Sequence, residues 1–176
     1  MRTRRWALSA GLGLAAVALT PGARASVQQT SKALRFQNLH TGESLEAEYW
    51  RGGVYASDAL AAVDHILRDF RTGEVHIIDR RLLDLLFDLS ASLETPQPFQ
   101  IISGYRSPHT NAALAEASGG VARHSLHMEG MAIDIAVEGV STDTVRAAAL
   151  DLRRGGVGYY PDPGFVHVDV DRVRRW

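Results

Sequence analysis

The chain has 176 residues, with 19 Lys and Arg against 20 Asp and Glu and a formal net charge of −1. It contains no cysteine, which excludes a disulfide framework, a thiolate metal site and a cysteine nucleophile. This length suits one domain with its own core, and the absence of a basic excess argues against nucleic acid or anionic lipid as the main partner.

Arg2, Arg4 and Arg5 form a positive start, and Trp6 to Thr20 form an apolar run without a charge. Ala23-Arg24-Ala25 then places small residues where a signal peptidase reads, so residues 1–25 are expected to be a signal peptide cleaved before Ser26. The run is short for a membrane span of about 20 residues. Thr3-Arg4-Arg5-Trp6 also resembles a twin-arginine signal, so export by the Tat or the Sec route stays open. Either route places the mature chain outside the cytoplasm, in the periplasm, and removing this segment takes the formal charge from −1 to −5. Residues 26–33 are polar and read as a tether, with a single domain over residues 34–176.

Leu34-Arg-Phe36 and Leu45-Glu-Ala47-Glu-Tyr49 alternate apolar and polar residues on either side of His40-Thr-Gly42, which predicts a β-hairpin. Ser57-Asp58 can cap a helix reaching Phe70, with Leu60, Val63, Leu67 and Phe70 on one face. A second helix follows Asp79, its Leu82, Leu83, Leu85, Leu86 and Leu89 assigned to the core. Pro96 and Pro98 end it before the strand Phe99 to Ser103. A turn at Gly104 to Pro108 and a short helix through Ala117 follow. Then come the strand Ala132 to Val137, a helix from Val145 to Arg153 capped by Ser141 or Thr142, and the strands at Val157 to Tyr160 and Phe165 to Val170. This order predicts an α+β fold, a mostly antiparallel sheet flanked by helices.

The chemistry is concentrated in Ser125-Leu-His127-Met-Glu-Gly130-Met-Ala132-Ile-Asp134 and in Phe165-Val-His167-Val-Asp169. Two neutral imidazoles and one carboxylate suit zinc with a fourth position left open for water, the mark of a catalytic rather than a structural site. Period two in the last strand puts His167 and Asp169 on one face and Val166, Val168 and Val170 on the other. A carboxylate there is read as the general base for the attacking water, with Asp162 as the second choice. Ala132 and Ala136 leave room beside Asp134, and Gly130 lets the backbone turn so that His127 reaches the same point. Arg106 follows a strand end, where a guanidinium can hold a substrate carboxylate or stabilise an oxyanion. Its neighbour Tyr105, and Ser125 just ahead of His127, are assigned to substrate binding. His124 and Glu129 border the motif without a firm role, and His40, His65, His76 and His109 are read as structural or exposed. Tyr159, Tyr160 and Trp176 are read mainly as packing.

The pattern Ser-x-His-x-x-Gly-x-Ala-x-Asp, preceded by Ser103-Gly-Tyr-Arg-Ser107 and followed by a His in the last strand, resembles the zinc D-Ala-D-Ala metallopeptidases. That superfamily holds D-Ala-D-Ala carboxypeptidases, VanX-type dipeptidases, phage endolysins and the hedgehog signalling domain. The ending Phe165-Val-His167-Val-Asp169-Val-Asp-Arg172-Val-Arg174-Arg-Trp176 is most similar to its murein endopeptidases, and the likeness spans about residues 34 to 176. It implies zinc ligands His127, Asp134 and His167, one Zn2+ per chain, and Arg106 as the substrate or oxyanion group. VanX-type members carry a catalytic Glu three residues before the last ligand; Gly164 stands there in this chain. The function expected is hydrolysis of peptide cross-links in peptidoglycan by a monomeric exported enzyme acting on stem peptides, without nucleic acid or membrane as partner. The alternatives are a D-Ala-D-Ala carboxypeptidase and a non-catalytic, zinc-containing murein-binding module.

Overall fold

The structure is a computed structural model that describes residues 30–117 and 122–176. The expected signal peptide lies outside the described residues. Strand β1 (Ser31–Asn38) begins inside the segment read as a tether and pairs antiparallel with β2 (Ser44–Arg51), Leu34 opposite Ala47 and Phe36 opposite Leu45. Buried Asn38 closes the hairpin: its side chain accepts from the N–H groups of His40 and Thr41 and donates to the Ile66 carbonyl. The two-residue β3 (Val54–Tyr55) extends this edge.

Helix α1 (Ser57–Ile66) is shorter than the sequence predicts, and it starts after Ala56 without a side-chain cap from Ser57 or Asp58. Its apolar spacing continues to Phe70, but the backbone leaves the helix at Leu67, whose carbonyl accepts from Tyr105 N–H at 2.7 Å. Phe70 stacks on His40 instead, ring centroids 3.7 Å apart. Helix α2 (Arg80–Leu93) is capped by Asp79, which accepts from Arg81 N–H at 2.8 Å, and the five expected leucines are all buried. Strand β4 (Phe99–Ser103) and helix α3 (Pro108–Ala117) follow. A 3-10 turn (Leu126–Glu129) then leads into β5 (Ala132–Val137). Helix α4 (Thr142–Leu152) is capped by Ser141, and β6 (Gly156–Tyr160), β7 (Phe165–Asp169) and β8 (Arg174–Arg175) complete the chain.

The eight strands form one sheet in the order β3-β2-β1-β4-β5-β7-β6-β8. Five of its pairings are antiparallel, and β1–β4 and β6–β8 are parallel. This is the expected α+β architecture. Side chains alternate across each strand, so Ile133, Ile135 and Val137 of β5 and Val166 and Val168 of β7 join the core with Val145 and Ala149 of α4. The intervening Asp134, His167 and Asp169 project from the other face. One face of the central strands is thus committed to packing against helices, and the other is free for chemistry.

Candidate metal centre

Strands β5 and β7 run antiparallel with Asp134 directly opposite His167 and Ala132 opposite Asp169. Directly opposed side chains on one face lie close enough to interact, and His167 Nδ1 is 2.8 Å from Asp134 Oδ1. His127 arrives from the 3-10 turn, its Nε2 at 3.3 Å from Asp134 Oδ1 and 3.2 Å from His167 Nδ1. The turn is closed by Gly130 at φ +65°, where a Cβ would also overlap the Ile77 carbonyl oxygen. Only glycine meets both conditions without strain. Gly130 carbonyl accepts from Asp79 N–H at 3.0 Å, tying the turn to the start of α2.

Among the described residues, His127, Asp134 and His167 form the group that can hold a metal ion, with one donor atom from each all within 4.8 Å of one another. The tautomers fit that use. His127 Nδ1 lies 2.8 Å from the Gly104 carbonyl, which can only accept, so this nitrogen carries the hydrogen and Nε2 keeps its lone pair. His167 Nε2 lies 3.1 Å from Asp169 Oδ2, leaving Nδ1 as the donor toward the cluster. Two imidazole lone pairs and a carboxylate oxygen converge, each imidazole oriented through its other nitrogen, as in metal sites generally. Burial disfavours charge on Asp134, but the two histidines beside it hold its carboxyl well below the usual range.

Asp169, read from the sequence as the general base, is held on the far side of His167. It does share a face with His167, but its carboxylate sits at the ring nitrogen facing away from the cluster and is fully buried. It accepts from Gly156 N–H at 3.0 Å and Asp171 N–H at 3.0 Å, and Arg174 grips it with both terminal nitrogens at 3.1 and 2.8 Å. Burial opposes its ionisation, yet His167 and then these donors hold its carboxyl at about 2. Asp169 does not line the cleft over the cluster. Asp162 is exposed in the turn between β6 and β7 and also lies outside the cleft lining.

Arg106 and Ser125 do line that cleft, a space of about 440 Å3 above the three ligands. Arg106 N–H donates to the His127 carbonyl at 3.1 Å, so the two loops are stitched together. Its guanidinium is mostly buried but poorly paired. Nη2 lies 3.6 Å from Asp134 Oδ2 and 3.3 Å from Ser103 Oγ, Nη1 lies 3.5 Å from Asn111 Oδ1, and Nε has no partner among the described residues. Such a fork can exchange long contacts for a better acceptor arriving in the cleft.

Tyr105, assigned from the sequence to substrate binding, takes the other direction and does not line the cleft. It is buried, stacked on His76 with ring centroids 4.6 Å apart, and its hydroxyl donates to Glu74 Oε1 at 2.8 Å. Burial and then Glu74 push the phenol up to about 12. Its backbone N–H is held by Leu67 and that of Arg106 by His127, so the two consecutive side chains part. Tyr105 supports the turn from behind while Arg106 faces the cleft.

Three residues that the sequence left without a role organise this site. Asp69, 1% exposed, accepts from both the N–H and the hydroxyl of Ser107, at 2.9 and 2.6 Å, and pins the Arg106 turn from the far side. Asn111 of α3 accepts from Arg106 and donates to the carbonyls of Ala122 and Arg123, fixing the cleft rim. Arg174 locks Asp169. The basic C-terminal residues were visible only as part of a resemblance, Asp69 stood out by no motif of its own, and a lone Asn in a helix gives no signal. His124 lines the cleft, whereas Glu129 does not.

A family model described as Peptidoglycan L,D-endopeptidase MepK matches residues 26–176. The chain belongs to this family. It is 43% identical over 162 residues to the Peptidoglycan L,D-endopeptidase MepK of Escherichia coli strain K12, covering 92% of this chain and 89% of that protein. It is 36% identical to the Probable peptidoglycan L,D-endopeptidase MepK of Haemophilus influenzae, covering 98% of this chain and 94% of the relative. The family is one of metal-dependent peptidases, and the cluster of His127, Asp134 and His167 offers it a donor set. No helix among the described residues is long and apolar enough to cross a membrane.

Proposed function

We propose that the protein is an exported zinc endopeptidase that hydrolyses peptide cross-links in peptidoglycan, at a bond joining an L-centre to a D-centre. The observation that carries this reading is the register that sets Asp134 opposite His167, with His127 turned in beside them, in a chain of the MepK family. His127 through Nε2, Asp134 through Oδ1 and His167 through Nδ1 would hold one zinc. Bound there, zinc supplies Lewis acidity that lowers the pKa of water and polarises the scissile carbonyl.

The chain's own groups divide the remaining work. Asp169 and Gly104 fix the imidazoles of His167 and His127 in their donor tautomers, so Asp169 is a positioning residue rather than the base. Arg106 meets negative charge in the cleft, either a stem-peptide carboxylate or the oxyanion developing on the scissile carbonyl. Its place beside Asp134, at the reacting centre, favours the oxyanion. Ser125, on the cleft wall, offers a hydroxyl to the substrate backbone. The enzyme acts in the periplasm as a monomer after loss of residues 1–25, on stem peptides rather than on nucleic acid or membrane.

The test is digestion of purified sacculi by the zinc-loaded mature protein. Conversion of cross-linked dimers to monomers is the expected product pattern. Release of terminal D-Ala alone would make the protein a carboxypeptidase, and sedimentation with sacculi without any released fragment would make it a binding module.

A further inference from the structure

The cleft face of β6 carries no side chain at two alternating positions, Gly156 and Gly158, and the space is taken by two residues of the C-terminal segment. A Cβ on Gly156 would meet Asp169 Oδ2 first and then Arg174 Nη1 at 2.6 Å, and one on Gly158 would lie 2.8 Å from the Trp176 indole. Gly158 pairs with His167 across the sheet. The indole is therefore laid beside a metal-ligand candidate, 5.2 Å between ring centroids, and forms part of the cleft wall.

This indole is fixed on every side but one. Trp176 N–H donates to the Val157 carbonyl at 3.2 Å, and its own carbonyl accepts from Tyr159 N–H at 3.1 Å. Its Nε1–H donates to Tyr160 Oη at 2.8 Å, and the Arg174 guanidinium lies 5.0 Å from the ring. Tyr160 is in turn stacked on Phe165, centroids 4.6 Å apart. Even so, Trp176 remains 50% exposed, in the cleft. A half-exposed indole held through its backbone and its Nε1–H is apolar surface left uncovered beside the candidate metal centre, and covering it orders little more of the protein.

We propose that Trp176 is a substrate-contacting, specificity-determining residue, its indole receiving the aliphatic side arm of the amino acid next to the scissile bond, with Tyr160 and Phe165 completing the wall. The proposal rests on the reading of the protein as a peptidoglycan endopeptidase. The cleft then has two chemically distinct sides: Arg106 beside Asp134 takes charge, and Trp176 beside His167 takes hydrocarbon. A stem peptide presents both kinds of group, and a peptide lacking the apolar arm would lose the second contact.

Two measurements on the zinc-loaded mature protein test this. The first is turnover of purified cross-linked muropeptides by Trp176→Ala and Trp176→Phe. Trp176→Ala should raise KM about tenfold, the size of a lost aromatic contact, with zinc content and melting temperature near wild type, and Trp176→Phe should recover part of the loss. The second uses intrinsic fluorescence. The full chain has three tryptophans, Trp6 falls in the expected signal, and a Trp50→Phe protein then reports Trp176 alone. Rapid mixing with muropeptide should shift its emission to the blue before product appears. Normal KM in Trp176→Ala, or an emission unchanged during turnover, overturns the proposal while leaving the endopeptidase reading intact. A blue shift with no turnover overturns the endopeptidase reading and keeps the contact. Neither shift nor turnover removes both.

Discussion

Asp169 holds the ring nitrogen of His167 that faces away from Asp134. The Oδ2 to Nε2 distance is 3.1 Å on one side of the imidazole, and Nδ1 to Asp134 Oδ1 is 2.8 Å on the other. One ring thus links a fully buried carboxylate to the candidate metal-ligand cluster, and the Arg174 fork and two backbone N–H groups hold that carboxylate on the side away from it. The consequence differs from that of a general base. Asp169→Asn should weaken zinc affinity about 10- to 100-fold, the usual effect of losing a ligand-orienting partner, and excess zinc should restore most of the turnover. Chelator competition alongside kcat at saturating zinc decides it. Unchanged affinity with kcat down by two or more orders of magnitude would return the base role to Asp169.

Asp69 makes a separate prediction, about stability. Burial raises the cost of its charge, but the hydroxyl and N–H of Ser107 and further donors outweigh that and hold its carboxyl well below the ordinary value. A depressed pKa means the folded state favours the ionised form. The stabilisation is therefore complete above the unfolded-state value of about 4 and is lost as pH falls below it. Asp69→Ala strands buried donors and should cost about 2–4 kcal/mol at pH 7. Denaturant melts of both proteins at pH 7 and near pH 3 should show the gap narrowing at acid pH. A gap independent of pH would mean that the charge on Asp69 does not matter.

Tyr105 separates support from substrate contact. Its hydroxyl donates to Glu74, and its ring packs on His76 behind the turn. Tyr105→Phe keeps the ring and loses one hydrogen bond, so it should cost about 1 kcal/mol of stability and leave KM and kcat on muropeptides within about twofold. A KM raised tenfold with normal stability would put the phenol back in the binding site.

What was legible in the sequence followed its periodicities. The alternation in β7 predicted that His167 and Asp169 share a face, and the leucine spacing after Asp79 predicted a buried helix; both are observed. Same-face geometry, however, fixes proximity and not direction. Nothing in His-x-Asp says which ring nitrogen the carboxylate meets, because that depends on Arg174 reaching across from β8. The helix expected to run to Phe70 failed for a similar reason. Its apolar spacing continues, but a long-range bond from Tyr105 to the Leu67 carbonyl competes for the backbone. Asp69 was equally hidden, since its partner Ser107 lies 38 residues away. The candidate ligands were readable because motif residues carry them; the residues that hold these side chains still were not, because each works through a contact distant in sequence.

The role proposed for Arg106 concerns the chemical step itself. Its guanidinium stands at the candidate ligand cluster, with long contacts to Asp134, Ser103 and Asn111 and an Nε without a partner among the described residues. A charge so placed gains most when negative charge develops at the reacting centre, and less from a ground-state carbonyl. Loss of a ground-state clamp would mainly raise KM, whereas loss of oxyanion stabilisation mainly lowers kcat. Arg106→Ala should therefore lower kcat about 100- to 1,000-fold, the usual cost of removing one such donor, with KM changed by less than about fivefold and zinc retained. Arg106→Lys should recover only part of kcat, because an ammonium restores the charge but not the planar fork. A raised KM at normal kcat would identify Arg106 as the clamp for a stem-peptide carboxylate, and normal values of both would remove it from the site.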